Sequence, residues 1–98
     1  MKREIEMILD STHDAMIAVN LEGRITIFNK AAGILTQINP VAAIGQPVDI
    51  IIENTRLPWV LKTGISELNQ KQPLGDITII TNRMPVRDES GKVVGAIA

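Results

Sequence analysis

Asp10, His13 and Asp14 come closest, in type and spacing, to a set of catalytic or metal-binding residues. His13 is the only histidine, so a metal site would lack a second imidazole and a Ser-His-Asp triad would depend on this one side chain. Nothing beside the two aspartates indicates a cleft, and no glycine-rich phosphate-binding loop is present. The sequence therefore predicts a protein that is not an enzyme and holds no metal, with His13 on its surface.

Composition narrows the class of protein further. Cysteine is absent, which excludes disulfides, thiolate metal sites and cysteine nucleophiles. Ten basic and eleven acidic residues give a net charge of −1 without a run of either sign, so the chain lacks the basic surface that nucleic-acid binding needs. No apolar stretch approaches the roughly 20 residues of a membrane span. We expect one cytoplasmic domain over residues 1–98, with no nucleic-acid or membrane partner.

Three polar side chains offer a different chemistry, the recognition of a bound molecule. Asn82 lies between the apolar residues Ile80 and Met84, and it needs a hydrogen-bond partner if it is buried. The backbone, water or a ligand can supply that partner. Arg56 and Arg83 can each pair with an anion, although arginines are more often solvated at a protein surface. We expect both arginines at the surface.

The rest of the chain is organised around a β-hairpin that leads into a helix. Two short apolar strands are predicted within residues 15–28, with Ile25 and Ile27 on one face of the second strand. Between them, residues 20–23 have Asn at the first position and Gly at the fourth, which is typical of a type I turn. Asn29 precedes a helix-forming run, where its side chain can cap the first helical turn.

The remaining elements are short. The pattern predicts helices at 30–38, 41–44 and 55–63, and strands at 65–72, 77–86 and 92–98. The turn at 88–91 repeats the polar-first, glycine-fourth pattern of the first turn. Helices this short cannot form a bundle, so they must cover one face of a sheet, which predicts an α+β architecture.

The two ends of the chain carry their own predictions. An N-terminal helix at about 2–11 has an apolar stripe of Ile5, Ile8 and Leu9, which packs either on its own domain or on a second copy. The last strand is still apolar at Ala98. We therefore expect a domain core over about 14–98, and a fragment of a longer protein in which this strand continues.

Four stretches carry a resemblance to a known family. Residues 8–32, ILDSTHDAMIAVNLEGRITIFNKAA, resemble the start of a PAS domain, the sensory module of bacterial signalling proteins. The stretches VLKTG, TNRMPV and GKVVGA resemble the N-terminal PAS domains of sigma-54-dependent (NtrC-type) activators. PAS domains of sensor kinases share much of the pattern. Asn20 departs from the family, which usually has Asp there.

The resemblance implies a five-stranded antiparallel sheet with short helices on one face, and an N-terminal helix that mediates dimers. It also implies a ligand pocket between the helices and the sheet. For each apolar residue of that pocket taken alone, a plain core residue is the more common outcome. The predicted pocket residues are Ile17, Val19, Ile27, Leu35, Ile44, Leu57, Leu61, Ile80, Asn82 and Met84.

Two cofactors known from PAS domains do not suit these residues. Flavin held by a cysteine adduct needs a cysteine, and haem needs a histidine on the helix predicted near residues 58–63, which has none. Phe28 and Trp59 are the only aromatic residues, so a large planar ring would find little stacking surface. Flavin held without an adduct stays an alternative. We otherwise expect no resident cofactor, and a small, apolar or amphipathic metabolite as the ligand.

Two functions of different classes remain open. In the first, this is the sensory domain of a sigma-54-dependent regulator, and its ligand shifts the population of states that controls an attached output domain. By resemblance, that output would be an ATPase that contacts sigma-54 polymerase, followed by a DNA-binding domain, so ATP, DNA and polymerase would bind outside this chain. In the second, the domain is a ligand-free dimerisation or protein-interaction module, including that of a sensor histidine kinase. The volume of its internal cavity separates the two.

Overall fold

The computed structural model describes residues 7–8, 11, 13–52 and 55–98. Within these residues, five strands form one antiparallel sheet in the order β2-β1-β5-β4-β3, which confirms the predicted sheet. The pairing of β1 with β5 joins the first hairpin to the last three strands. The strands are β1 Ile17–Asn20, β2 Ile25–Phe28, β3 Glu67–Leu74, β4 Ile77–Arg87 and β5 Val93–Ile97.

Four short helices in the described part of the chain connect the two groups of strands. They are α1 Lys30–Thr36, α2 Pro40–Ala43, α3 Val48–Ile51 and α4 Leu57–Thr63. Asn29 caps α1 as predicted, because its side-chain oxygen accepts from the amide of Ala32 at 2.9 Å. Helix α1 ends at Thr36, earlier than expected, since Gln37 adopts a left-handed conformation. Among the described residues, no helix combines the length and apolarity that a membrane crossing requires.

Both predicted turns have the expected chemistry. Asn20 accepts from the amides of Glu22 and Arg24 at 3.0 and 3.1 Å, and Gly23 closes the turn at a φ of 76°. At the second turn, Asp88 accepts from the amides of Ser90 and Lys92 at 2.9 and 3.0 Å. A polar side chain that bonds the following amides therefore sets both hairpins.

A register shift in the first hairpin corrects the predicted face of Ile27. Val19 pairs with Ile25, whereas Ala18 pairs with Ile27, so the shift inserts an extra residue into β2. Ile25 and Phe28 consequently both face the helices and are buried, while Ile27 lies on the other face. An extra residue reverses the alternation of side chains, which a strict two-residue period cannot anticipate.

The hydrophobic core lies between the sheet and the helices. Val48, Leu57 and Val60 supply its largest fully buried helical side chains, and Ile25 supplies the largest from the sheet. Most of the predicted helix at 2–11 lies outside the described residues. Of its apolar stripe, Ile8 is described, and its side chain is exposed.

Candidate functional site

A small cavity lies between the inner face of the sheet and helices α1 and α4. It leaves about 60 Å³ for the centres of water-sized molecules. Since one water needs roughly 10–15 Å³ of such space, the cavity holds a few waters or a molecule of a few atoms. Its apolar wall is formed by Ala15, Ile17, Ala32, Leu35, Ile52, Leu57, Leu74, Ile79 and Ala98, and its polar wall by Thr36, Thr55, Gln72, Thr81 and Arg83.

Arg83 is the most unusual residue of this wall, because a charged side chain is seldom buried. It is 3% exposed. Its Nη1 donates to Glu67 Oε1 at 2.9 Å, and its Nη2 donates to Gln72 Oε1 at 3.0 Å. The pairing of β3 with β4 sets Glu67 directly opposite Arg83. The sheet register therefore holds the guanidinium at the cavity.

Glu67 joins this buried arginine to a second, exposed one. Arg56, which precedes α4, donates from Nε to Oε1 at 3.2 Å and from Nη2 to Oε2 at 2.8 Å. The hydrogen bonds from Arg56 lower the pKa of Glu67, with a further contribution from the charges of Arg56 and Arg83, against the opposing effect of burial. The Glu67 carboxylate is therefore ionised at neutral pH and lies between two guanidinium groups.

A second, solvent-facing groove meets the cavity at the same residues. Gln72 and Arg83 line both spaces. Arg56 and Glu67 line the groove but not the cavity. Gln72 and Arg83 are therefore part of a wall that the cavity and the groove share.

Three predicted pocket residues lie at the cavity: Ile17, Leu35 and Leu57. Val19 is buried in the core beside them but does not line the cavity. Leu61 packs at the edge of the core and contributes to a shallow surface groove with Leu21 and Pro47. That these residues contact a ligand stays a prediction.

Five predicted pocket residues lie elsewhere, which corrects their assignment to the pocket wall. Ile80, Asn82 and Met84 are exposed on the outer face of β4, and Ile27 lies on the same outer face of β2. Asn82 accepts from the amide of Asn69 at 2.8 Å, so its partner is the neighbouring strand's backbone. Ile44 is exposed after α2.

The cause of this error is the phase of β4. Alternate residues of a strand lie on opposite faces of the sheet. Both faces of β4 carry apolar side chains, so hydrophobicity does not show which face points toward the helices. The structure turns Ile79, Thr81 and Arg83 inward. Arg83 is consequently buried, whereas the sequence favoured a surface arginine; Arg56 is exposed as expected.

Two polar residues of the cavity wall were missed as candidates: Thr81 on the inner face of β4, and Gln72 of β3, which pairs with Ile79. A signal was available at the hairpin, because the turn after Leu74 contains Gly75 with a φ of 60° and fixes the register of β3 against β4. Among the described residues, no group of three or more acidic or histidine side chains is placed to hold a metal.

Comparison with known proteins extends these observations. A family model described as the PAS fold matches residues 3–98. "Sensor protein CitS" of Halalkalibacterium halodurans is 37% identical over 95 residues, and the "Probable C4-dicarboxylate sensor kinase" of the same organism is 30% identical over 95 residues. These matches cover 95% and 97% of this chain, but the chain spans only 18% of each relative.

A solved structure gives the same fold. The PAS domain of a protein from Colwellia psychrerythraea superposes with a TM-score of 0.73 at 20% identity. The match covers 97% of this chain and 90% of that one. At this identity the likeness concerns the fold alone.

Proposed function

The chain belongs to the PAS family, and from this membership we propose that it is the sensory domain of a sensor histidine kinase. Both curated relatives carry the word sensor in their names, and one is named a kinase. Their names support the kinase over the sigma-54-dependent regulator that the resemblance implied, and the regulator stays a prediction. The kinase, its ATP site and its partners would lie outside this chain, and we place the domain in the cytoplasm.

The observation that carries the proposal is the cavity with Arg83 in its wall. Residues of β1, β3 and β4 line it from the sheet, and residues of α1 and α4 line it from the other side. A molecule bound there would contact both layers of the fold. It could therefore favour one arrangement of helices and sheet over another, which is the requirement for a ligand to shift a population.

Self-association is the second part of the proposal. The outer face of the sheet presents the exposed apolar side chains of Ile80, Met84, Val86 and Val94. Adjacent exposed apolar side chains of this kind mark an interaction surface. We propose a homodimer through this face and the N-terminal helix, which would transmit the state of one domain to its partner.

Native mass spectrometry of the chain distinguishes a ligand-binding domain from a ligand-free module. A mass above that of the denatured chain would show a retained small molecule, and the same spectrum gives the number of copies. A dimer that carries no added mass, and that gains none when small metabolites are supplied, would favour the interaction module.

The regulatory role is tested in a chimera. This chain replaces the matching 95 residues of the Halalkalibacterium C4-dicarboxylate sensor kinase, and autophosphorylation is measured. Thr81→Leu fills part of the cavity, while Val41→Leu enlarges an exposed side chain of α2 that lines neither the cavity nor the outer face of the sheet. We expect Thr81→Leu to alter the rate and Val41→Leu to leave it unchanged. Equal rates in the two variants would refute regulation through the cavity.

A further inference from the structure

We propose that the cavity binds a short aliphatic carboxylate, whose carboxylate group pairs with Arg83. This inference rests on the proposed sensory function and adds the chemical class of its ligand. It follows from the charge, the donor groups and the size of the site, each of which limits what can bind.

The donors come first. A guanidinium has five N–H groups in a planar fork and no acceptor, so only an acceptor can bind it. Of these five, the described residues accept two, one at Glu67 and one at Gln72. Arg83 also lines the cavity, and we infer that the remaining N–H groups of its fork are available to a second acceptor there. A carboxylate matches that fork with two oxygens.

Charge selects an anion over a neutral molecule. Within the described residues, Arg56, Glu67 and Arg83 form one connected group with two positive charges and one negative charge. Burying a charge without full compensation is costly, and Arg83 has only 4% of its side chain exposed. A monoanion in the cavity would balance the group, whereas a neutral ligand would leave the excess positive charge.

Glu67 does not prevent this. Its carboxylate already receives two hydrogen bonds from Arg56, at 3.2 and 2.8 Å, and its side chain is 23% exposed. Glu67 therefore keeps the exposed Arg56 as a partner when a ligand also binds the guanidinium of Arg83. Thr81 precedes Arg83 by two residues on the inner face of β4 and also lines the cavity, so its hydroxyl can donate to the same ligand.

Size and wall chemistry define the rest of the molecule. About 60 Å³ of space suits a few non-hydrogen atoms, and most of the wall consists of aliphatic side chains such as Ile17, Leu35 and Leu57. Burying a short alkyl chain against such a wall is favourable by about 0.8 kcal/mol per methylene group. Butyrate combines the charge with a chain of this length.

The experiment compares butyrate with butyramide, which has the same shape but no charge. Each is titrated into the ¹⁵N-labelled chain while amide chemical shifts are recorded. We expect butyrate to shift the amide signals of Ile17, Leu57 and Thr81. Butyramide should bind at least about tenfold more weakly, because it cannot form the charged, hydrogen-bonded pair with Arg83. Arg83→Gln should weaken butyrate by a similar factor. Arg56→Gln, which removes an exposed arginine of the same group outside the cavity, should weaken it by a smaller factor.

Each other result overturns the proposal. Equal binding of butyrate and butyramide would exclude recognition by charge, yet leave a sensory cavity for neutral molecules. Equal weakening by Arg56→Gln and Arg83→Gln would place the anion in the outer groove. An absence of shifts at the cavity amides would exclude the ligand class, while the kinase chimera still decides the sensory role. If Arg83→Gln does not fold, the comparison of the two probes in the unaltered chain decides.

Discussion

Arg83 Nη1 lies 2.9 Å from Glu67 Oε1, across two adjacent strands and sixteen positions apart in the sequence. This pair places a buried positive charge in the wall of a largely aliphatic cavity. It also ties the sheet to the start of α4, because Glu67 pairs with Arg56 as well. The strand pairing that builds the fold therefore also creates the polar end of the candidate site.

Glu67→Gln should destabilise the domain far more than Arg56→Gln. The first substitution leaves the buried Arg83 without its anion, which we expect to cost about 1.5–3 kcal/mol. The second removes only the exposed arginine, and exposed ion pairs contribute little to stability. Urea unfolding of both variants measures the difference. Equal losses would mean that Glu67 stabilises the fold through Arg56 alone.

Acid should destabilise the protein partly through the same carboxylate. The pKa of Glu67 in the folded chain lies below its ordinary value of 4.5, because Arg56 and Arg83 favour the ionised form. At a pH between those two pKa values, Glu67 is protonated in the unfolded chain and ionised in the folded one. The stability that its ionised form contributes is therefore complete above pH 4.5 and is lost as the pH falls through the folded-state pKa. The stability difference between the natural chain and Glu67→Gln should shrink on acidification. A difference that stays constant with pH would contradict the assignment.

The local elements of this fold could be predicted from sequence because local chemistry determines them. Asn20, Asn29 and Asp88 each bond backbone amides within a few residues, so turn and cap patterns identify them. The site is different, since it depends on which alternate residues of β4 face the helices. That choice is made by pairing with β3 and by packing against α4, which involve residues far apart in the sequence.

The burial of Arg83 illustrates what sequence alone lacks. Arginines are mostly exposed, so composition favours the surface for each arginine considered separately. Its burial depends on the register that sets Glu67 opposite and Gln72 nearby. Ile27 was misplaced for a related reason, because a single register shift in the first hairpin reversed its face.

Met84→Glu should weaken self-association if the outer face of the sheet forms the dimer interface. Met84 is 44% exposed among other apolar side chains, and a charge there would have to be buried on association. We expect the dimer dissociation constant to rise about tenfold or more, as measured by sedimentation at several concentrations. Removing residues 2–10 should weaken the dimer too. Val41→Glu, on the exposed side of α2, is the control. An unchanged dimer in Met84→Glu would exclude this face.

Gly95→Ala should destabilise the sheet at the junction between its two halves. Gly95 pairs with Asn20 of β1, and a methyl group on its Cα would lie 2.5 Å from the carbonyl oxygen of Val19, so one of the two strands must move. The β1–β5 pairing joins the first hairpin to the other three strands, and overpacking of this kind typically costs about 1–3 kcal/mol. Val94→Ala, at the exposed neighbouring position, should cost much less in the same urea titration. If the two losses are equal, close approach at Gly95 does not limit the packing of β1 on β5, and the glycine is replaceable there.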